Sequence, residues 1–160
     1  MRIRTGEVSG SDEQRLLTEY FEYRLAAFPP ADGDYVVALP SASVFLPPHG
    51  VFLVVEGDDG VAVGCGGIRL LPGANAADEP AVRYEVKHVW LEPRMRGGGH
   101  ATALMNELEQ RARDLGATEL VLDTHHSLEA AGRLYARLRY EPIAPYNDNP
   151  NATRWYRKRL

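Results

Sequence analysis

Cysteine is almost missing from this chain. Cys65 is the single one in 160 residues, so no internal disulfide can form, and a reducing, cytoplasmic setting is expected. Its neighbours are glycine and small apolar residues, which read as a buried strand and not as a nucleophile's setting. No apolar run reaches membrane-spanning length and the N-terminus lacks the apolar core of a signal peptide, so no membrane partner is expected. Positive charge is not in excess. Lys and Arg number 18 against 22 Asp and Glu, a net charge of −4 that argues against nucleic acid as the main partner. The five histidines (His49, His88, His100, His125, His126) show no metal-ligand spacing, and strand alternation would send His125 and His126 to opposite faces. No metal is therefore expected. Internal repeats and linkers are also absent, so residues 1–160 read as one domain.

What is present is ordinary globular material, 44% hydrophobic and 25% charged, enough for one good core. Ile3 to Val8 reads as a first strand. Ser11-Asp12-Glu13-Gln14 reads as a capping-box start with Ser11 as N-cap. Leu16, Leu17, Tyr20, Phe21, Leu25 and Phe28 then form a helical stripe that Pro29-Pro30 ends. Val51–Glu56 and Val61–Leu71 are strands joined by Gly57-Asp58-Asp59-Gly60, a hairpin signal, and Gly64, Gly66 and Gly67 suggest a bulge or a close backbone contact. The connection from Pro72 to Pro80 is expected to cover one end of the sheet. Arg83–Leu91 and Glu119–Thr124 read as central strands, Ser127–Leu138 as a helix, and Glu141–Tyr146 and Thr153–Leu160 as closing strands. The order β-α-(α)-β-β-β-α-β-α-β-β predicts an α/β fold with a mixed sheet of six to seven strands.

The most informative stretch runs from Tyr84 to Gly116. An apolar strand turns through Pro93 into Arg96-Gly97-Gly98-Gly99-His100-Ala101, and a helix follows with Ala101, Leu104, Met105, Leu108, Ala112 and Leu115 on one face. Gly116 stands where a left-handed stop is expected. Consecutive glycines let the backbone approach a ligand, and the helix start leaves N–H groups unpaired beside a partial positive charge of roughly +0.5. Together these make an anion site suited to phosphate. No Gly-Lys-Ser/Thr follows, so a nucleoside-triphosphate loop is excluded, and the dinucleotide fingerprint fails because its third glycine would fall near Ala101 or Thr102.

The Arg96–Ala101 run resembles the acyl-CoA pyrophosphate loop of the GCN5-related N-acetyltransferases, Gln/Arg-x-x-Gly-x-Gly/Ala; a second register beginning at Arg94 also fits. The resemblance extends through Leu134-Tyr135 to the end of the chain. It implies a sheet splayed between the fourth and fifth strands and acetyl-CoA as the acyl donor. It also implies a coenzyme site drawn from Val89, Trp90, Leu91, Arg94, Arg96, Gly97, Gly98, Gly99, His100, Ala101 and Thr102. In this family the fourth-strand backbone, here at Val89 and Leu91, pairs with the pantetheine arm. The tyrosine of Leu-Tyr-x-x-x-Gly-Phe/Tyr serves as general acid beside the sulfur, and here it is Tyr135. Two departures stand out. Arg139 takes the place of the usual glycine, which puts the helix exit in question. His125 stands where an asparagine usually contacts the pantetheine, and it is expected to substitute as a hydrogen-bond donor.

Acetyl transfer to an amine also needs a proton acceptor, because an ammonium of pKa ~10 must first be deprotonated. Glu85, a carboxylate in a mostly apolar strand, is the candidate base, acting through water; its bland role is a salt bridge with Lys87 on the same strand face. His88 is expected on the opposite face. The loop Pro145-Tyr146-Asn147-Asp148-Asn149-Pro150 is expected to border the acceptor site. The acceptor itself reads only as an amine of a small molecule or peptide, to which an acidic chain offers mild attraction. Homodimers are common in the family and are the assembly the resemblance implies. An acyl-CoA-binding sensor without turnover stays open at this stage, although Glu85 and Tyr135 together favour an enzyme.

Overall fold

The computed structural model of this chain describes residues 1–71 and 81–160. The expected cover formed by Pro72 to Pro80 lies outside the described residues. Among those described, seven strands make one mixed sheet: β1 (Arg2–Gly6), β2 (Gly50–Glu56), β3 (Ala62–Leu70), β4 (Arg83–Leu91), β5 (Glu119–Thr124), β6 (Glu141–Ile143) and β7 (Arg154–Arg159). Their spatial order is β1-β2-β3-β4-β5-β7-β6, antiparallel throughout except for the β4–β5 pair. The helices are α1 (Ser11–Ala27), α2 (His100–Asp114) and α3 (Glu129–Arg137). Where a second helix was entertained after α1, the chain makes only 3₁₀ turns at Pro30–Asp32 and Ala42–Phe45.

Strand alternation divides the core in two. One face of the sheet gives Leu53, Val86, Leu120 and Leu122 to a cluster completed by Leu104, Met105 and Leu108 of α2 and by Leu134 and Tyr135 of α3. The other face gives Phe52, Val54, Cys65 and Trp90 to a cluster with Leu16 and Leu17 of α1. Cys65 is thus a buried strand residue, and burial pushes its thiol well above the usual range.

Helix α1 corrects two expectations. Its N-cap is Gly10, not Ser11, and no side chain caps it. Glu13, which a capping box would turn back to the helix start, is instead bound by Arg4 at 2.9 Å. The buried stripe also shifts by one residue, for Leu25 is 49% exposed while Arg24 is 7% exposed. At the other junction the structure resolves the Arg139 question. Arg139 adopts φ 65, the left-handed conformation a glycine would take, and the N–H of Tyr140 closes the turn on the Tyr135 carbonyl at 2.9 Å.

Two backbone features create the site. Strands β4 and β5 pair only from Arg83 to Glu85 with Glu119 to Val121, so the rest of each strand diverges from the other. Strand β4 also carries a bulge against β3. The register passes from Gly67↔Lys87 to Cys65↔Trp90, so His88 and Val89 together oppose Gly66. His88 holds the bulge with φ 55.

Candidate active site

A cavity of about 1060 Å³ opens where β4 and β5 part. One end is walled by Leu91, Arg96, Gly97, Gly99, Ala101 and Thr102, the middle by Val89, Trp90 and Tyr135, and the far end by α1, Lys87, Asp123 and three asparagines. Most of the residues expected at a coenzyme site are therefore brought together. Four are not on this wall: Arg94, Gly98, His100 and His125. Arg94 pairs with Glu92 at 2.7 Å, and it borders a separate small hollow with His100.

At the loop end, Gly97 (φ 84) and Gly99 (φ 81) both take left-handed conformations, and a Cβ at either would meet nothing within 4 Å. Those glycines are there for backbone shape and for access. Gly99 caps α2 without a side-chain bond, so the first-turn N–H groups of that helix face the cavity end unpaired by any cap. The amide of Arg96, by contrast, is already used, donating to the Pro93 carbonyl at 3.2 Å. Its guanidinium lies 4.8 Å from the ring centres of both Trp90 and Tyr23, and its Nε donates to the Leu91 carbonyl at 3.2 Å. Arg96 forms part of the wall beside the glycine loop.

The bulge changes which face His88 occupies. Strict alternation would place it opposite Lys87, but the inserted residue turns it toward α1, where its ring meets Tyr20 at 5.4 Å, Phe21 at 5.6 Å and Phe45 at 5.9 Å. Burial among these rings, with Lys87 and Arg69 nearby, pushes the imidazole down to about 3, so it is neutral at physiological pH. Its Nδ1 has no hydrogen-bond partner among the described residues.

Glu85 has no exposed surface and does not line the cavity. Its Oε2 is held by Arg69 at 2.7 Å (Nε) and 2.6 Å (Nη2), and its Oε1 by Lys87 at 3.1 Å, by Tyr146 Oη at 2.9 Å and by Asn147 Nδ2 at 3.3 Å. The register explains the first contact, since Arg69 lies directly across the ladder from Glu85. Lys87 extends the network to Asp123 at 3.2 Å, and Asn147 and Asn149 donate to Asp123 Oδ2 at 2.8 and 3.0 Å. Burial works against the Asp123 charge, but Lys87 and the two amides outweigh it and hold that carboxyl below the usual range. Burial and the neighbouring Glu85 push the Tyr146 phenol well above its ordinary value. Nothing in the β4 sequence marks Arg69, Asp123 or Asn147 as partners, because register and the splay bring them together.

Tyr135 packs against Tyr140 and Tyr156, with ring centres 5.9 Å away in each case, and borders the cavity. Burial pushes its hydroxyl up to about 12, so the group carries its proton throughout the neutral range and can donate it. His125 is 1% exposed, and Nδ1 lies 2.8 Å from Ser127 Oγ. It does not diverge from His126 as alternation predicts. Both lie past the end of β5, where the pleat no longer applies, and their rings stand 4.3 Å apart. Their Nε2 atoms flank Asp32 Oδ2 at 3.4 and 3.9 Å, the only grouping among the described residues with three potential metal-ligating atoms. Burial, then His126, lowers the His125 pKa. The charge of nearby Arg24 lowers it as well and would oppose a cation there.

Taken together, the site has a phosphate-sized amide cradle, a slot between diverging strands, and a protonated phenol at mid-cavity. That is the apparatus for holding a nucleotide-bearing thioester and protonating a departing thiolate. Comparison with known proteins agrees. A fission-yeast protein, described as an uncharacterized N-acetyltransferase, is 33% identical over 104 residues, covering 65% of this chain but only 60% of the yeast protein. An "IAA acetyltransferase" of Azospirillum brasilense is 28% identical over 137 residues, 84% of this chain and 82% of its own length. In fold, a structure from Klebsiella pneumoniae described as an acyl-CoA N-acyltransferase superposes with TM-score 0.77 at 24% identity, covering 99% of this chain and 97% of that one. An acetyltransferase of Staphylococcus aureus superposes with TM-score 0.74 at 15% identity over 99% of both chains. Residues 14–140, from the first turn of α1 to the exit of α3, match the acetyltransferase (GNAT) family, and the chain belongs to it.

Proposed function

We propose that this chain transfers the acetyl group of acetyl-CoA to a primary amine by direct attack, with donor and acceptor bound together. One observation carries the reading: a single cavity runs from the amide end of α2, past the Tyr135 hydroxyl, to a polar chamber under α1. In this reading the first-turn amides of α2 and the backbone of Gly97–Ala101 hold the diphosphate. The β4 backbone at Val89 and Leu91, unpaired with β5 there, aligns the thioester arm. Tyr135 gives its proton to the leaving thiolate. The amine's proton leaves through the acidic network, with Asp123 at the cavity wall, Lys87 bridging, and Glu85 as internal acceptor. A covalent acetyl-cysteine route has no support, since Cys65 is sealed in the α1-side core.

The test is thiol release from acetyl-CoA across a panel of primary amines. Acetylated amine and free coenzyme A should appear in equal amounts, and Tyr135→Phe should slow both. Saturable coenzyme binding without thiol release from any amine would point instead to an acyl-CoA sensor.

A further inference from the structure

Arg24 is an arginine on the buried face of α1, 7% exposed, in the wall of the cavity. Among the described residues it forms no ion pair within 4.0 Å, and its Nε is sealed from solvent without a hydrogen-bond partner. Its one specific neighbour is the ring of Tyr35, 5.3 Å from the guanidinium carbon. A guanidinium removed from water and left without an anion is costly, by several kcal/mol in the general case, and buried arginines are ordinarily paired. The other charges at this end cancel: Arg69 and Lys87 are matched by Glu85 and Asp123 within one network. Arg24 is the charge left over. Its field is felt at Tyr20, at Tyr135 and at His125, which places it near the mid-cavity phenol.

We infer that Arg24 is an anion anchor for the acceptor, and that the acceptor is a primary amine that also carries a carboxylate. This rests on the acetyl-transfer reading above and narrows its substrate. A single unpaired guanidinium matches one negative charge and presents the planar fork that fits a carboxylate two oxygens at a time. A doubly charged phosphate would call for further free cations at this end, and the described residues supply none. The local charge thus overrides the weak attraction for cationic amines that a net charge of −4 suggests. Asp123, at the same end of the cavity, is available to face the acceptor's ammonium while Arg24 holds its acid group.

The experiment compares matched pairs that differ by the carboxylate alone: phenylalanine with phenethylamine, tyrosine with tyramine, β-alanine with ethylamine, and 4-aminobutyrate with propylamine. Thiol release from acetyl-CoA is measured for the full chain and for Arg24→Met and Arg24→Lys. At least one acid should exceed its decarboxylated partner in kcat/KM by about 10- to 100-fold, the worth of a charged hydrogen bond. That ratio should fall toward unity in Arg24→Met and be partly restored in Arg24→Lys. The melting temperature of Arg24→Met should not drop, because no internal partner is lost. A residue with a merely structural role would lower it and leave the ratio alone. Equal or better use of the plain amine in every pair overturns the inference. So does an Arg24→Met variant that loses affinity for coenzyme A while keeping its acid preference, since Arg24 would then serve the nucleotide. Thermal shifts with coenzyme A present separate the two levels. If no pair is turned over, yet the acids and not the amines stabilise the chain in an Arg24-dependent way, the transfer reading fails and the anchor stands. If the acids neither react nor stabilise, the anchor is refuted.

Discussion

Glu85→Gln removes one negative charge from a cluster in which Arg69 lies 2.6 Å and Lys87 3.1 Å from the carboxylate. Glutamine keeps the volume and one carbonyl acceptor, but the two-nitrogen grip of Arg69 on Oε2 now meets either a neutral oxygen or an NH₂. Breaking a buried ion pair from one side costs about 3–5 kcal/mol in general. Here two features reduce the loss: the Arg69 side chain is 38% exposed and can turn outward, and Lys87 retains Asp123 at 3.2 Å. The expected destabilisation is therefore about 2–3 kcal/mol. For a chain of this length each kcal/mol moves the midpoint by about 2–4 °C, so the melting temperature should fall by roughly 5–10 °C. Circular dichroism gives the midpoint, and thiol release between roughly pH 6.5 and 9.5 gives the chemistry. If Glu85 is the internal proton acceptor, turnover of the variant falls most at neutral pH and recovers partly toward the alkaline end, where free amine is already present. A loss that is the same at every pH leaves Glu85 as the clamp on Arg69 and Lys87. A midpoint within about 1 °C of the parent would refute the burial argument itself.

Tyr135→Phe should lower kcat by about 100-fold while acetyl-CoA affinity, read by calorimetry, and the melting temperature stay close to the parent values, because the ring contacts with Tyr140 and Tyr156 survive. Gly99→Val places a β-branched residue at φ 81 and its side chain in the amide cradle; coenzyme binding should disappear while the far-ultraviolet spectrum is preserved, and undiminished binding would overturn the loop assignment. His88 is held near 3 in the folded chain against 6.5 when free, so the unfolded chain takes up a proton that the folded chain refuses. Stability should then be intact above pH 6.5 and be lost as pH falls toward 3. Urea midpoints at pH 4.5 and 7.5 should differ less in His88→Asn, a residue that tolerates the same left-handed backbone.

Much of this could be read without coordinates. The apolar runs placed β4 and β5 at the residues the structure shows, and the glycines of the Arg96–Ala101 turn, with the αL stop at Gly116, located α2. Those signals are local, set by periodicity and backbone freedom within one segment. Three things escaped because they depend on segments far apart. The helical repeat alone does not choose between Arg24 and Leu25, which sit side by side at the margin of the stripe; only the cavity beside α1 makes Arg24 the buried one. The bulge at His88 leaves no compositional mark on β4 and appears only in its register with β3. The asparagine loop reads as a turn, yet Asn147 and Asn149 secure Asp123, and Asn151 bonds both the carbonyl and the amide of Val36, at 2.7 and 2.8 Å.

The brief β4–β5 contact has a mechanical consequence. Three residues on each strand stitch a four-stranded half, β1 to β4, to a three-stranded half, β5 to β7, and beyond that stitch the halves meet only through side chains and helices. A thioester arm lying along the open seam acts as a rivet between them, so donor occupancy and resistance to unfolding become one quantity. At a donor concentration a hundredfold above its dissociation constant the rivet contributes about 2.7 kcal/mol, and amides of β4 beyond Glu85 and of β5 beyond Val121 would be the ones to gain protection from hydrogen exchange.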